Sequence, residues 1–269
     1  MPLVLKNVEA ARGALWVRDA FALFARRPLG FTLLFVVFLL VAGVVASVPL
    51  LGPLVFSGMP PLLSLGYMVA SQSALLNGPV TPLAFIEPLR GDRQRRRSLL
   101  TLCALHAAGV VAIVALCVVI SDFELLRLQA VVAQGNPPPE ELAQLTNDPG
   151  ISAAALTWAV LGTLLSVPFW YAPALVFWGA QGAGQALFSS TLAVWRNKGA
   201  FLVYGLTWLA VIVGASMVSG LVAGLLGAPH VAGLLAVALA LLFGTVFYVS
   251  LLFAFNDSFG GAQGRAEAA

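Results

Sequence analysis

The sequence predicts an all-α fold, a polytopic transmembrane bundle of six spans arranged as three hairpins, with an N-terminal interfacial helix. Three observations carry this. First, the 269 residues are 60% apolar and 9% charged, with a mean hydropathy of +0.97, against about 45–50% apolar and about 25% charged in a soluble domain. Second, four stretches hold no charged residue: 28–86, 98–121, 149–195 and 199–256. Third, 13 of the 14 Lys and Arg residues fall in segments that these spans gather at one end. So few charges cannot cover a globular surface, which excludes a water-soluble enzyme. The same numbers exclude a disordered chain, and two cysteines exclude a disulfide scaffold.

The elements follow in order. Segment 8–27 is too charged to span, and Glu9, Arg12, Asp19, Arg26 and Arg27 fall on one arc of a helical wheel. Residues 1–27 are therefore expected to form an amphipathic helix in the cytoplasmic interface, with Trp16 at headgroup depth. The first apolar run is a full hairpin, which does not read as a secretory signal peptide. A helix needs about 20 apolar residues to cross a ~30 Å hydrocarbon core. The first charge-free stretch thus holds spans 29–50 and 54–76, turning at Pro49, Gly52 and Pro53, with Pro60-Pro61 interrupting the second. Span 98–121 follows, then an external loop, 122–150, that begins amphipathically and ends in Pro137-Pro138-Pro139, part helix and part extended linker. The fourth span is 151–177, interrupted by Pro168 and Pro173.

Residues 178–195 are small and polar, with Gln181, Gln185 and Ser189 at i, i+4 and i+8 on one helical face. They read as an extension of the fourth helix or an interfacial helix, since a seventh span would carry Arg196 and Lys198 to the opposite side. Spans 200–226 and 231–256 form the last hairpin, turning at Gly227, Ala228, Pro229 and His230, before a tail, 257–269. Ser216, Gly220, Gly224 and Ala228 repeat every four residues, a small-residue stripe expected to let a neighbouring backbone approach. The bases set orientation. Arg127 alone faces the other way, so both termini are expected in the cytoplasm.

AFALFARRPLGFTLLFVV (20–37) and TLAVWRNKGAFLVYGLTW (191–208) share an outline, either an internal duplication or the basic collar that every inward-starting helix wears. FARRPLGF, VPLLGPL, PFWYAPALVFWGAQGAGQAL and WRNKGAF together resemble an uncharacterised six-span inner-membrane family of Gram-negative bacteria. More distantly, the chain is similar to the membrane region attached to some glycerophosphodiester phosphodiesterases. The resemblance implies the fold and a bacterial inner-membrane location, and it brings no catalytic residue.

Chemistry is sparse. Cys103 and Cys117 lie in one span, about 21 Å apart on a straight helix, too far for a disulfide, and both read as small core residues. His106 lies two turns into the third span, where an ionisable group is a functional candidate or a neutral imidazole bonded to a neighbouring helix. No Asp or Glu lies at membrane depth, since Asp257 and Glu87 only border spans, and no nucleotide, zinc-protease or serine-hydrolase motif is present. Catalytic, cofactor and metal sites are therefore expected to be absent.

Two functional readings remain. In the first, the protein is a non-enzymatic scaffold or lipid-associated component. Arg26, Arg27, Arg93, Arg95, Arg96, Arg97, Arg196 and Lys198, with Trp195, then form a collar for anionic lipid headgroups. The run RGDRQRRR is accounted for by the membrane surface and needs no nucleic acid; other membrane proteins remain possible partners. In the second, the protein is a passive or weakly coupled transporter of a small amphiphile, using His106, Gln72, Asn77, Gln181 and Gln185. A deep polar pocket reaching His106 would favour transport, and a solid core the scaffold.

Overall fold

The computed structural model describes residues 3–49, 51–135, 138–225 and 229–260. It is 84% helical, and no strand occurs among the described residues. Among the described residues twelve α-helices follow one another: α1 (Arg12–Arg26), α2 (Pro28–Ala46), α3 (Leu51–Ser57), α4 (Pro60–Leu75), α5 (Arg93–Ile120), α6 (Glu124–Ala133), α7 (Pro139–Thr146), α8 (Pro149–Phe169), α9 (Ala172–Gly179), α10 (Ala183–Arg196), α11 (Lys198–Leu225) and α12 (Pro229–Phe259). Among the described residues five helical segments are long and apolar enough to cross a membrane, or six if the α3–α4 pair, bent by 45°, is one span. The fold class read from the charge-free stretches is the one observed.

Local chemistry sets the helix starts. Proline occupies the first turn of α2, α4, α7 and α8, where its missing N–H costs nothing. Asp92 caps α5 through the Gln94 N–H, and Asp148 caps α8 through the Gly150 and Ile151 N–H groups. The first hairpin turns where expected: the Gly52 N–H donates to the Val48 carbonyl at 2.8 Å. A Cβ at Gly52 would collide with the Val45 carbonyl oxygen, so only glycine permits this turn. The lipid-facing surface is apolar, with Leu29, Leu202, Val218 and Leu225 all exposed on α2 and α11. The core is centred on α4, buried from Leu63 through Ser71 and packed on α5, α9 and α12.

Several expectations need correction. Trp16 is fully buried (0% exposed) and packs on protein rather than lipid, because α1 docks along α11 and α12 and its apolar face of Trp16, Val17, Ala20 and Leu23 faces protein. Residues 178–195 do not extend the fourth helix. Ala180 takes a left-handed conformation (φ 52°) that ends α9 and turns the chain, and α10 folds back on α8 and α9. The outer loop is more helical than expected. α6 and α7 pack on each other and on α8, burying Val131 and Leu145, and Pro138-Pro139 open α7; Pro137 lies outside the described residues.

The small-residue stripe does not pack either. A Cβ at Gly220 or Gly224 would meet nothing within 4 Å, and it is Ser219 and Ala223 that are buried. Ala228 and Gly227 lie outside the described residues, as do the His230 side chain and most of the tail, 261–269.

Candidate functional site

Two of the spans break, and each break is mended by one polar side chain. In α4, Pro61 has no N–H to offer the carbonyl four residues back, that of Ser57. The His106 imidazole supplies the missing donor, with Nδ1 2.7 Å from the Ser57 carbonyl oxygen. A carbonyl only accepts, so Nδ1 carries the proton. His106 also meets Phe169 edge-on at 5.0 Å between ring centroids. Its place in the fold is therefore explained by an orphaned carbonyl in an apolar interior, where an unmet polar group is costly.

The second break separates α8 from α9. The Ser190 hydroxyl of α10 inserts into the helical ladder, accepting from the Tyr171 N–H at 3.0 Å and donating to the Val167 carbonyl at 3.0 Å. Those two groups are four residues apart and would otherwise bond each other. Insertion opens the helix beside Pro168 and pins α10 to the break, which is why α10 returns along α8.

A third polar cluster joins the N-terminal segment to the bundle. Asp257 near the end of α12 accepts from Arg12 Nε at 2.7 Å, Arg12 Nη2 at 3.1 Å and Trp16 Nε1 at 2.7 Å. The carboxylate's hydrogen bond holds the Arg12 guanidinium pKa above its ordinary value, against the opposing effect of burial. Beside it, buried Asn197 accepts from the Val8 N–H and donates to the Lys6 carbonyl, while the Lys6 N–H donates to the Ser258 carbonyl. The Ser258 hydroxyl meets the Tyr171 hydroxyl at 3.1 Å. Arg12, Trp16, Ser190, Asn197 and Asp257 were not singled out as site residues. The signal available was a polar residue adjoining or interrupting an apolar run, as at Asn197 and Asp257.

The five polar residues considered for transport, His106, Gln72, Asn77, Gln181 and Gln185, are not assembled around one cavity. The cavity reaching His106 holds about 120 Å³ and is walled by Pro60, Pro61, Phe169, Trp170, Phe247 and Tyr248, with Ser64 and Ser166 also among its lining. Gln72, Gln181 and Gln185 line none of the five cavities described here. Gln185 is exposed, and Gln181 is half-buried with its side-chain oxygen unpartnered.

The basic residues are mostly at the surface. Arg26, Arg27, Arg93, Arg96, Arg97, Arg196 and Lys198 are exposed, and Arg95 is half-buried. Arg27 donates to the Asn77 carbonyl at 3.1 Å. Arg95 lies over the Phe177 ring at 5.2 Å, and Lys198 over the ring of exposed Trp195 at 5.3 Å. These contacts group them by hairpin, with no single pocket shared among them in the five cavities. Among the described residues no group of three or more His, Cys, Asp or Glu could hold a metal. Cys103 and Cys117 are free thiols.

No protein-family model matches the chain, and no solved structure is detectably similar to it. A probable inner membrane protein of Burkholderia thailandensis is 32% identical over 258 residues, covering 95% of this chain and 94% of the relative. Together with the spanning helices, that likeness places this chain among multi-pass membrane proteins. The chain belongs to the family of that inner membrane protein.

Proposed function

We propose that the protein is a non-enzymatic, lipid-associated component of the bacterial inner membrane, with both termini in the cytoplasm and a basic collar that engages anionic lipid headgroups. The observation that carries this reading is the state of the interior. Its conspicuous polar side chains mend helix breaks or clip the N-terminal segment. The cavity at His106, at about 120 Å³, is below the roughly 300 Å³ at which ligand pockets begin. A transport path of polar groups has no counterpart among the described residues. The 13-to-1 partition of bases supports the orientation. Exposed bases beside Trp195 suit phosphate-bearing headgroups at interfacial depth. The distant likeness to the membrane region of glycerophosphodiester phosphodiesterases stays an expectation and adds no activity.

The test is native mass spectrometry of the detergent-purified protein. It is expected to retain phosphatidylglycerol in preference to phosphatidylcholine of the same chains. Arg196→Gln with Lys198→Gln leaves eleven inside bases against one, so orientation holds, and retention is expected to fall. A protein that retains both lipids equally, or neither, would overturn the lipid-associated reading.

A further inference from the structure

We infer that the groove between α8, α10, α11 and α12 holds one acyl chain of an anionic phospholipid whose phosphate sits on Arg196 and Lys198. This inference rests on the lipid-associated reading and gives it a specific site.

The groove has a volume of about 550 Å³, within the roughly 300–1,000 Å³ of small-molecule sites. Its walls are mainly aromatic, with Trp170, Phe201, Tyr204, Trp208, Phe243 and Phe247 locked to one another by ring contacts. Such walls are stiff, so the groove is not expected to collapse when empty. Along α11 it runs from Phe201 to Ile212, about 16 Å at 1.5 Å per residue. That is the depth of one leaflet, about half of the ~30 Å hydrocarbon core.

Its mouth has the opposite character. Val194 and Phe201 both line the groove, and the chain between them carries Trp195, Arg196, Asn197 and Lys198. Asn197 is buried and fixed by the Val8 N–H and the Lys6 carbonyl. That anchor holds the turn in place and leaves Trp195, Arg196 and Lys198 exposed. Asp257, on the neighbouring α12, is taken by Arg12 and Trp16. An apolar slot one leaflet deep with two cations at its rim complements an anionic phospholipid, phosphate at the rim and chain below. A second cavity of about 470 Å³ shares Ile212 and Phe243 with the groove and continues it towards Gly220, giving room for a longer chain.

Glycine offers a clean test. Gly205 lines the groove, and a Cβ there would meet nothing within 4 Å, so Gly205→Leu fills the slot without disturbing the backbone. Gly43 on α2 is likewise exposed and open, so Gly43→Leu is the matched control. Each protein is titrated with dioleoyl phosphatidylglycerol or dioleoyl phosphatidylcholine in non-ionic detergent and read by native mass spectrometry.

Wild type and Gly43→Leu are expected to hold one phosphatidylglycerol with equal affinity. Gly205→Leu, excluding about two methylenes of the chain, is expected to bind about tenfold more weakly. Arg196→Gln with Lys198→Gln is expected to lose about thirtyfold, the effect of two surface bases. Thr163→Trp, on the opposite wall, repeats the chain test should Gly205→Leu fail to fold. If both groove-filling variants bind as wild type does while the charge variant loses lipid, the groove proposal falls and the collar reading stands. If wild type does not prefer phosphatidylglycerol, the lipid-associated reading falls with it.

Discussion

Two residues, His106 and Ser190, each satisfy backbone groups that a helix break would strand in an apolar interior. Removing His106 as a donor leaves the Ser57 carbonyl unmet. His106→Leu is expected to cost about 1–2 kcal/mol and to lower the melting temperature in detergent. His106→Gln, which keeps an N–H donor, is expected to recover most of that loss. A proton-relay role would not be rescued by glutamine, so a thermal shift series separates the two. Ser190→Ala strands the Tyr171 N–H and leaves the Val167 carbonyl only the 3.4 Å bond from the Trp170 N–H, and is expected to cost about 1–3 kcal/mol. Limited proteolysis near Ala180 should increase alongside the thermal shift, because α10 loses its pin. The role of Ser190 was invisible in the sequence, where it is one serine among many. His106 was legible as an unusual residue in a span, but its partner was set by Pro61, far away in the chain.

Among the elements, α1 departs most from its sequence pattern. Its charged arc and apolar face fit a helix lying on a membrane as well as one lying on protein, since both surfaces are apolar. The docked arrangement leaves no room at one point. A Cβ at Gly13 would collide with the Ala200 carbonyl oxygen and crowd the Tyr204 nitrogen, so Gly13→Ala is expected to push α1 off α11 at a cost of about 1–3 kcal/mol. Gly220→Leu, in the stripe once expected to be a packing seam, is expected to leave the melting temperature unchanged because open space surrounds it. Measured side by side, the two variants decide which glycine marks a helix–helix contact. Asp257→Asn weakens the clip to Arg12 and should raise hydrogen exchange in residues 3–26 while exchange in α5 and α8 stays as it was.

For the whole molecule, the testable quantity is orientation. In a background lacking Cys103 and Cys117, a cysteine at Glu140 in α7 should label from outside intact cells, and one at Gln94 should label only after lysis. Both positions are exposed, so a difference reports the side of the membrane rather than burial. Equal labelling of the two would contradict a six-span chain with both ends inside. Helices α6 and α7 hold Arg127 between Glu124 and Glu141, at 3.6 and 3.7 Å. These acids do not offset it in setting topology, which follows the count of Lys and Arg, thirteen in the segments expected inside against this one.

The sequence alone determined the class of fold, the presence of several apolar helices long enough to span, and the first hairpin turn. Each of these follows from a summed local quantity: apolar length against bilayer thickness, glycine and proline at a turn, charge excluded from hydrocarbon. The tertiary structure decided what lies inside the spans: the breaks at Gly58 and Trp170, the return of α10, and the burial of Trp16. It also decided that Gln72, Gln181 and Gln185 stand apart from the His106 cavity. Those outcomes depend on which distant group meets an orphaned backbone atom, as His106 meets Ser57 and Ser190 meets Tyr171. In a chain this apolar, almost every helix face can be buried equally well, so hydrophobic pattern does not discriminate between neighbours, and a few polar contacts choose among them.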